Sequence, residues 1–168
     1  MQRVGFGYDS HRLVAARPLV LGGVEVDFEL GLDGHSDADV VLHAITDAIL
    51  GAIGQGDIGE QFDPADPRWE DADSETFVRA ALAMATEQHL AVANCDVTVL
   101  AERPSLKAHK PAMKARIAAM LGVGAERVAV KAKTNEGMGP IGRGEGIAAL
   151  AAVMLCDRGR PGPTGPAS

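Results

Sequence analysis

Near the start of the chain Val4, Phe6 and Tyr8 alternate with Gly5 and Gly7, and the run ends in Asp9-Ser10-His11. A period of two is that of a β-strand, where residues i and i+2 share a face, so Asp9 and His11 can grip one ion. His43 lies in an apolar stretch with helical period and supplies a third leg from a second rigid element. The fold therefore has to set a strand end against a helix. One carboxylate and two imidazoles suit zinc. Three protein ligands leave the fourth position open, the arrangement of a catalytic rather than a structural site. Taken alone, Asp-x-His is a short pattern that chance also produces.

The 168 residues, 46% of them hydrophobic, suffice for one domain with its own core. No apolar run reaches bilayer-spanning length, which predicts a soluble protein with no membrane partner. Met1 leads into the strand pattern rather than into a basic start and an apolar block, so no signal or transit peptide is expected. The expected location is cytoplasmic. Cys95 and Cys156 stand apart without CxxC spacing and read as reduced packing residues. A formal net charge of −7 without a basic run argues against a nucleic-acid partner. It allows an anionic small molecule where metal ions and a few local cations offset the repulsion.

Residues 3–10 read as a strand, and 19–26 as a small hairpin around Gly22-Gly23. Ser36 with Asp39 makes a capping-box match for a helix over 37–53, with Val40, Val41, Ala44, Ile45, Ala48 and Ile49 as its buried stripe. Asp39, His43 and Asp47 fall on an adjacent face, where Asp47 is placed to orient a ligand imidazole. Residues 54–59 read as a glycine-rich loop, and 62–67 hold too much proline for regular structure. Helices are expected over 74–89 and 108–121, with Pro111 tolerated in a first turn, and strands over 92–101 and 127–133. Residues 146–156 fit either a helix or a buried strand, which periodicity does not separate. The Pro/Gly-rich tail over 158–168 should be disordered, leaving one domain over 1–157.

Five blocks then stand out together: Gly5-Phe-Gly-Tyr-Asp-Ser-His11, His35-Ser-Asp-Ala-Asp-Val-Val-Leu-His43, Gly56-Asp-Ile-Gly59, Val97-Thr-Val-Leu-Ala-Glu102 and Gly142-Arg-Gly-Glu-Gly146. In order and spacing they resemble the 2-C-methyl-D-erythritol 2,4-cyclodiphosphate synthase family, zinc-dependent cyclases of the non-mevalonate isoprenoid pathway. The resemblance covers residues 2 to 156. It implies an α/β subunit of α+β type, a mixed β-sheet with helices on its outer face, and a homotrimer whose sheets face a central core. Under it, residues 146–156 become an inner strand. The implied reaction closes a cyclic diphosphate from 4-diphosphocytidyl-2-C-methyl-D-erythritol 2-phosphate and releases CMP.

The resemblance also implies roles. Asp9, His11 and His43 hold Zn²⁺, and Glu136 is a ligand for a second ion, Mg²⁺ or Mn²⁺, that prefers hard oxygen donors. His35 and Thr134 stabilise the transition state by hydrogen bonds to phosphate oxygens. Ser36, Asp57, Gly59 and Asp66 belong around the methylerythritol part, and Ala101, Pro104, Leu106, Lys107 and Lys133 around the cytidine diphosphate. The chain departs from the family's pattern at Ser105, where a lysine is common, at Asp63-Pro64, where the acid and the proline exchange places, and at Pro140, where an aromatic is common. Arg143 with Glu145 is either part of a binding site for an isoprenoid diphosphate in the trimer core or an inter-subunit salt bridge. A zinc-dependent phosphoesterase and an isoprenoid-binding regulatory trimer are the alternative functions.

Overall fold

The computed structural model describes residues 1–34, 36–63, 66, 69 and 72–158. Among the described residues seven strands and five α-helices follow one another as β1 Gln2–Ala15, β2 Leu19–Leu21, β3 Val24–Val26, β4 Leu30–Leu32, α1 Val40–Ile53, α2 Ile58–Gln61, α3 Glu75–Glu87, β5 Leu90–Leu100, α4 Lys110–Leu121, β6 Val128–Lys133, α5 Gly139–Gly142 and β7 Gly146–Asp157. Five strands form one mixed sheet in the order β4-β1-β7-β5-β6, and β2 with β3 makes the separate hairpin. Only β5 and β6 run parallel, which requires the crossover through α4.

The central strand settles the ambiguity of residues 146–156 in favour of a strand. β7 pairs antiparallel with β1 on one side and with β5 on the other. That two-sided ladder overrides the helix preference of its alanines and leucines, as tertiary context commonly overrides propensity. Its residues Ile147, Ala149, Ala151, Val153 and Leu155 are buried against the helices.

Helix α1 lies on β1 at backbone contact distance. An ideal Cβ at Gly5 would sit 1.7 Å from the Ala48 carbonyl oxygen, and one at Gly7 would sit 1.9 Å from that of Ala44. Only glycine at these strand positions allows this approach. The opposite face of β1 carries Val4, Phe6 and Tyr8, which remain 66%, 64% and 54% exposed. The sheet is therefore covered by helices on one face and open on the other.

Asp39, not Ser36, caps α1: its side chain accepts from the Val41 and Leu42 amides at 3.0 and 3.1 Å, so the helix begins at Val40 rather than 37. The same buried carboxylate accepts from Gly22 and Gly23 N–H at 2.9 and 2.7 Å, tying the β2–β3 turn to the helix start. Burial pushes the Asp39 carboxyl up to about 6, against the opposing pull of these backbone hydrogen bonds.

Other elements extend or correct the sequence reading. β1 continues to Ala15 because its far end pairs with β4. The glycine-rich loop contains the short helix α2, capped by Asp57, whose side chain accepts from Glu60 N–H at 2.9 Å. His35, Pro64, Pro67 and the tail beyond 158 lie outside the described residues. Arg158, assigned to the tail, still donates its N–H to the His89 carbonyl at 2.9 Å. Among the described residues no helix is long and apolar enough to cross a membrane.

Gly7→Ala is expected to cost about 1–3 kcal/mol by overpacking, read as a lower unfolding midpoint at fixed protein concentration. Gly51 has no neighbour within 4 Å of an added Cβ. Gly51→Ala in the same helix should instead leave the midpoint unchanged or raise it, by up to about 1 kcal/mol. Equal effects of the two substitutions would show that the close approach is not what limits Gly7.

Candidate active site

Asp9 and His11 leave β1 on the face that carries Gly5 and Gly7, and so point at the start of α1, where His43 stands in the first turn. His11 Nε2 lies 2.9 Å from Asp9 Oδ2 and 3.2 Å from His43 Nδ1, and His43 Nδ1 lies 2.9 Å from the same Asp9 oxygen. Four-coordinate zinc with bonds of about 2.0–2.1 Å holds its ligand atoms roughly 3.3 Å apart. The three atoms therefore already have nearly the spacing that one ion requires.

The tautomer of His11 follows from its other nitrogen. Nδ1 lies 2.6 Å from the Asp33 carbonyl, which only accepts, so Nδ1 carries a hydrogen and Nε2 is the nitrogen left to face the triad. Burial works against the charge of Asp9, but hydrogen bonds from His11 and His43 and their charge outweigh it and hold the carboxyl well below its ordinary range. Burial likewise opposes protonation of His11, and its contacts with the Asp9 carboxylate and the Asp33 carbonyl overcome it and raise its pKa. A site that draws protons this strongly is one where positive charge is stabilised, and a metal ion could take that place by displacing the proton.

The triad opens on a cavity of about 210 Å³ lined by His11, Ser36, His43, Ile58, Gly59 and an aromatic wall of Phe62, Trp69 and Phe77. The three rings of that wall have centroids 5.0 to 5.7 Å apart. Asp57 is the N-cap of α2, directly before the lining residues Ile58 and Gly59, while Asp66 accepts the Trp69 N–H through its backbone carbonyl at 3.0 Å. Asp47 does not orient an imidazole: its Oδ1 accepts from Ile58 N–H at 2.8 Å and so fixes α2 beside the cavity.

A second cavity, of about 480 Å³, brings together Ala101, Pro104, Leu106, Lys107, Lys133 and Thr134. Glu136 joins this group, because Thr134 Oγ1 donates to its Oε1 at 3.1 Å. Arg143 is exposed and paired within the chain to Glu145, Nε to Oε1 at 2.6 Å. In register Ser10 faces Ala148, Ala148 faces Leu100, and Leu100 faces Lys133. The two cavities thus lie at the same end of the sheet, three strands apart, roughly 14 Å at about 4.8 Å per strand.

Residues 2–156 match the profile of the YgbB family. The chain belongs to the YgbB family. A relative named 2-C-methyl-D-erythritol 2,4-cyclodiphosphate synthase, from Symbiobacterium thermophilum, is 55% identical over 155 residues, spanning 92% of this chain and 99% of its own. A solved structure of a synthase with that name in a CDP-bound form is 35% identical with a TM-score of 0.85, over 92% of this chain and all of that one. The bifunctional IspDF of Campylobacter jejuni is 42% identical with a TM-score of 0.89, and this chain spans 43% of its length.

Within this YgbB-family chain the sequence reading missed two kinds of contributor. The Asp33 carbonyl sets His11 through the backbone, which no side-chain pattern reveals. Phe62, Trp69 and Phe77 are scattered in sequence, and only the tertiary fold gathers their rings, with Phe77 of α3 beside His43, ring centroids 6.0 Å apart.

Zinc is expected to co-purify at about one ion per chain, the stoichiometry of a single three-ligand site. His43→Ala should lose the ion and the activity while circular dichroism stays helical. Elemental analysis that finds no zinc in the wild type would remove the proposed centre.

Proposed function

We infer that this protein converts 4-diphosphocytidyl-2-C-methyl-D-erythritol 2-phosphate into 2-C-methyl-D-erythritol 2,4-cyclodiphosphate and CMP. The observation that carries this reading is the Asp9–His11–His43 triad opening on an aromatic-walled cavity, in a chain of this family. A 2-phosphate oxygen forms a bond to the β-phosphorus, and the bond from that phosphorus to the oxygen leading to the α-phosphate breaks. That oxygen and its electron pair depart with CMP. Two anionic groups must meet, so positioning and charge neutralisation are the enzyme's main tasks.

Asp9, His11 and His43 would hold Zn²⁺, which supplies Lewis-acid neutralisation and a fixed reference point for a phosphate when bound. Glu136 is a hard oxygen donor beside Thr134 and fits a second ion, Mg²⁺ or Mn²⁺, of the kind that takes one carboxylate and completes its shell with phosphates and water. Ser36, Asp57, Gly59 and Asp66 bind the methylerythritol portion against the aromatic wall. Ala101, Pro104, Leu106 and Lys107 bind the cytidine end, and Lys133 offsets diphosphate charge. Thr134, with His35, donates hydrogen bonds to oxygens that gain charge in the transition state. Arg143 serves substrate binding from the rim.

The separation of the cavities supports a homotrimer in which one subunit lends the metal half and its neighbour the nucleotide half. Roughly 14 Å across a sheet is too wide for both halves of one chain to act on a single phosphorus. The open face with Val4, Phe6 and Tyr8 supplies an apolar surface for such packing. It would also suit the hydrocarbon of an isoprenoid diphosphate on the threefold axis. A cytoplasmic location completes the reading and accords with Cys95 and Cys156, which sit far apart along the β5–β7 ladder, beyond disulfide reach.

Incubating the purified protein with the diphosphocytidyl substrate and Mg²⁺ should yield the cyclic diphosphate and CMP by phosphorus NMR. Release of inorganic phosphate, or of an open diol phosphate, would establish hydrolysis instead. Parent trimers of His43→Ala and of Thr134→Ala should each be nearly inactive. After random reassortment of an equal mixture, roughly a quarter of the interfaces unite two intact halves, and activity should rise well above both parents. No recovery in mass-verified mixed trimers would place the whole site within one chain.

A further inference from the structure

Ser74 stands at the N-cap position of α3, yet its side chain makes no capping hydrogen bond. The fully buried hydroxyl turns away from its own helix and lies 2.9 Å from His43 Nε2. It also donates to Asp37 Oδ1. A serine at a helix start normally satisfies the orphan amides of that helix, so this one is committed elsewhere.

Counting hydrogens settles the direction of the chain. An ionised carboxylate only accepts, so the Ser74 hydrogen goes to Asp37, and Ser74 can offer His43 only a lone pair. His43 Nε2 therefore carries a hydrogen, so that a bound ion would meet the lone pair of Nδ1. Nδ1 is the nitrogen that faces Asp9 and His11. Ser36 Oγ, 3.3 Å from the same Nε2 and 3.4 Å from Ser74 Oγ, accepts from Ala38 N–H at 3.1 Å and closes the pocket around the imidazole edge. Asp37 is held in turn. Its Oδ1 accepts from Asp39 N–H at 3.1 Å and its Oδ2 from Ser74 N–H at 3.2 Å.

We propose that Ser74 and Asp37 are positioning residues that act through His43, a carboxylate–hydroxyl–imidazole relay that selects the tautomer and ring angle with which His43 meets the metal. The proposal rests on the metal reading of the triad given above. Asp37 is also anchored through its backbone, its N–H donating to the Ala72 carbonyl at 3.2 Å, just before α3. Groups that hydrogen-bond the far nitrogen of a ligating histidine set its orientation and basicity, and their loss typically weakens metal binding by about 10–100-fold.

The test is zinc competition against a chromogenic chelator on the full chain, paired with thermal melts of zinc-free and zinc-loaded protein. Ser74→Ala and Asp37→Asn should each weaken zinc binding by about 10–100-fold and shrink the melting-temperature gain on zinc loading. The double variant should be little worse than the poorer single, since both act along one path. Ser74→Thr, which keeps the hydroxyl, should stay close to wild type. In the zinc-loaded wild type, nitrogen-15 NMR should find the His43 hydrogen on Nε2. Wild-type affinity in Ser74→Ala, or zinc-free and zinc-loaded melts that fall by equal amounts, would overturn the relay and leave Ser74 a packing residue. A wild type that takes up no zinc would overturn the metal site itself, a separate outcome.

Discussion

The contact on which the rest of the structure depends is the close approach of α1 to β1, where Gly5 and Gly7 meet the carbonyls of Ala48 and Ala44. It is a steric permission rather than an attraction. With no side chain between them, helix and strand pack at backbone distance, and residues at their common end come within ligand distance of one another. Asp9 and His11 continue the glycine face of the strand by the period of two. His43 precedes Ala44 on the helix. The Asp9–His11–His43 triad is thus an extension of the packing seam, and any change that spread the seam would open the triad with it.

Around the start of α1 the protein concentrates buried polar groups, and each has its partners. Asp39 spends its carboxylate on four backbone amides, two from the helix and two from the β2–β3 turn. Asp37 joins the approach to α1 with the start of α3. These contacts hold the turn that carries His43 from two directions, and rigid support of this kind is what a preorganised metal site requires. A buried carboxylate left without such partners would cost several kcal/mol, so they also limit the alternatives open to the chain here.

The other face of the sheet has the opposite character. Val4, Phe6 and Tyr8 point away from the helical layer and stay exposed in the single chain. Two cavities at one end of the sheet and an uncovered apolar face are both consistent with the assembly of further copies proposed above.

How much of this was legible beforehand divides along a physical line. The period of two through Val4, Phe6 and Tyr8, the 3.6-residue period of α1 and the Asp-x-His spacing are local properties, and they pointed to most elements and to Asp9, His11 and His43, which the fold brings within ligand distance of one another. The doubled glycine at 22 and 23 announced the hairpin in the same way, since both residues take positive φ there, 62° and 72°. What sequence could not decide was whatever depends on who lies beside whom. Ser36 looked like the cap of α1, but Asp39 won because it alone reaches both the helix amides and the Gly22-Gly23 turn. Asp47 looked like an orienting group for an imidazole, one turn from His43, yet the nearer unsatisfied donor was Ile58 N–H. Residues 146–156 read equally as helix or strand until β1 and β5 supplied partners on both sides. Periodicity is written into a chain because side chains repeat with the backbone; hydrogen-bond partners and strand neighbours come from distant segments, and only the folded packing chooses among them.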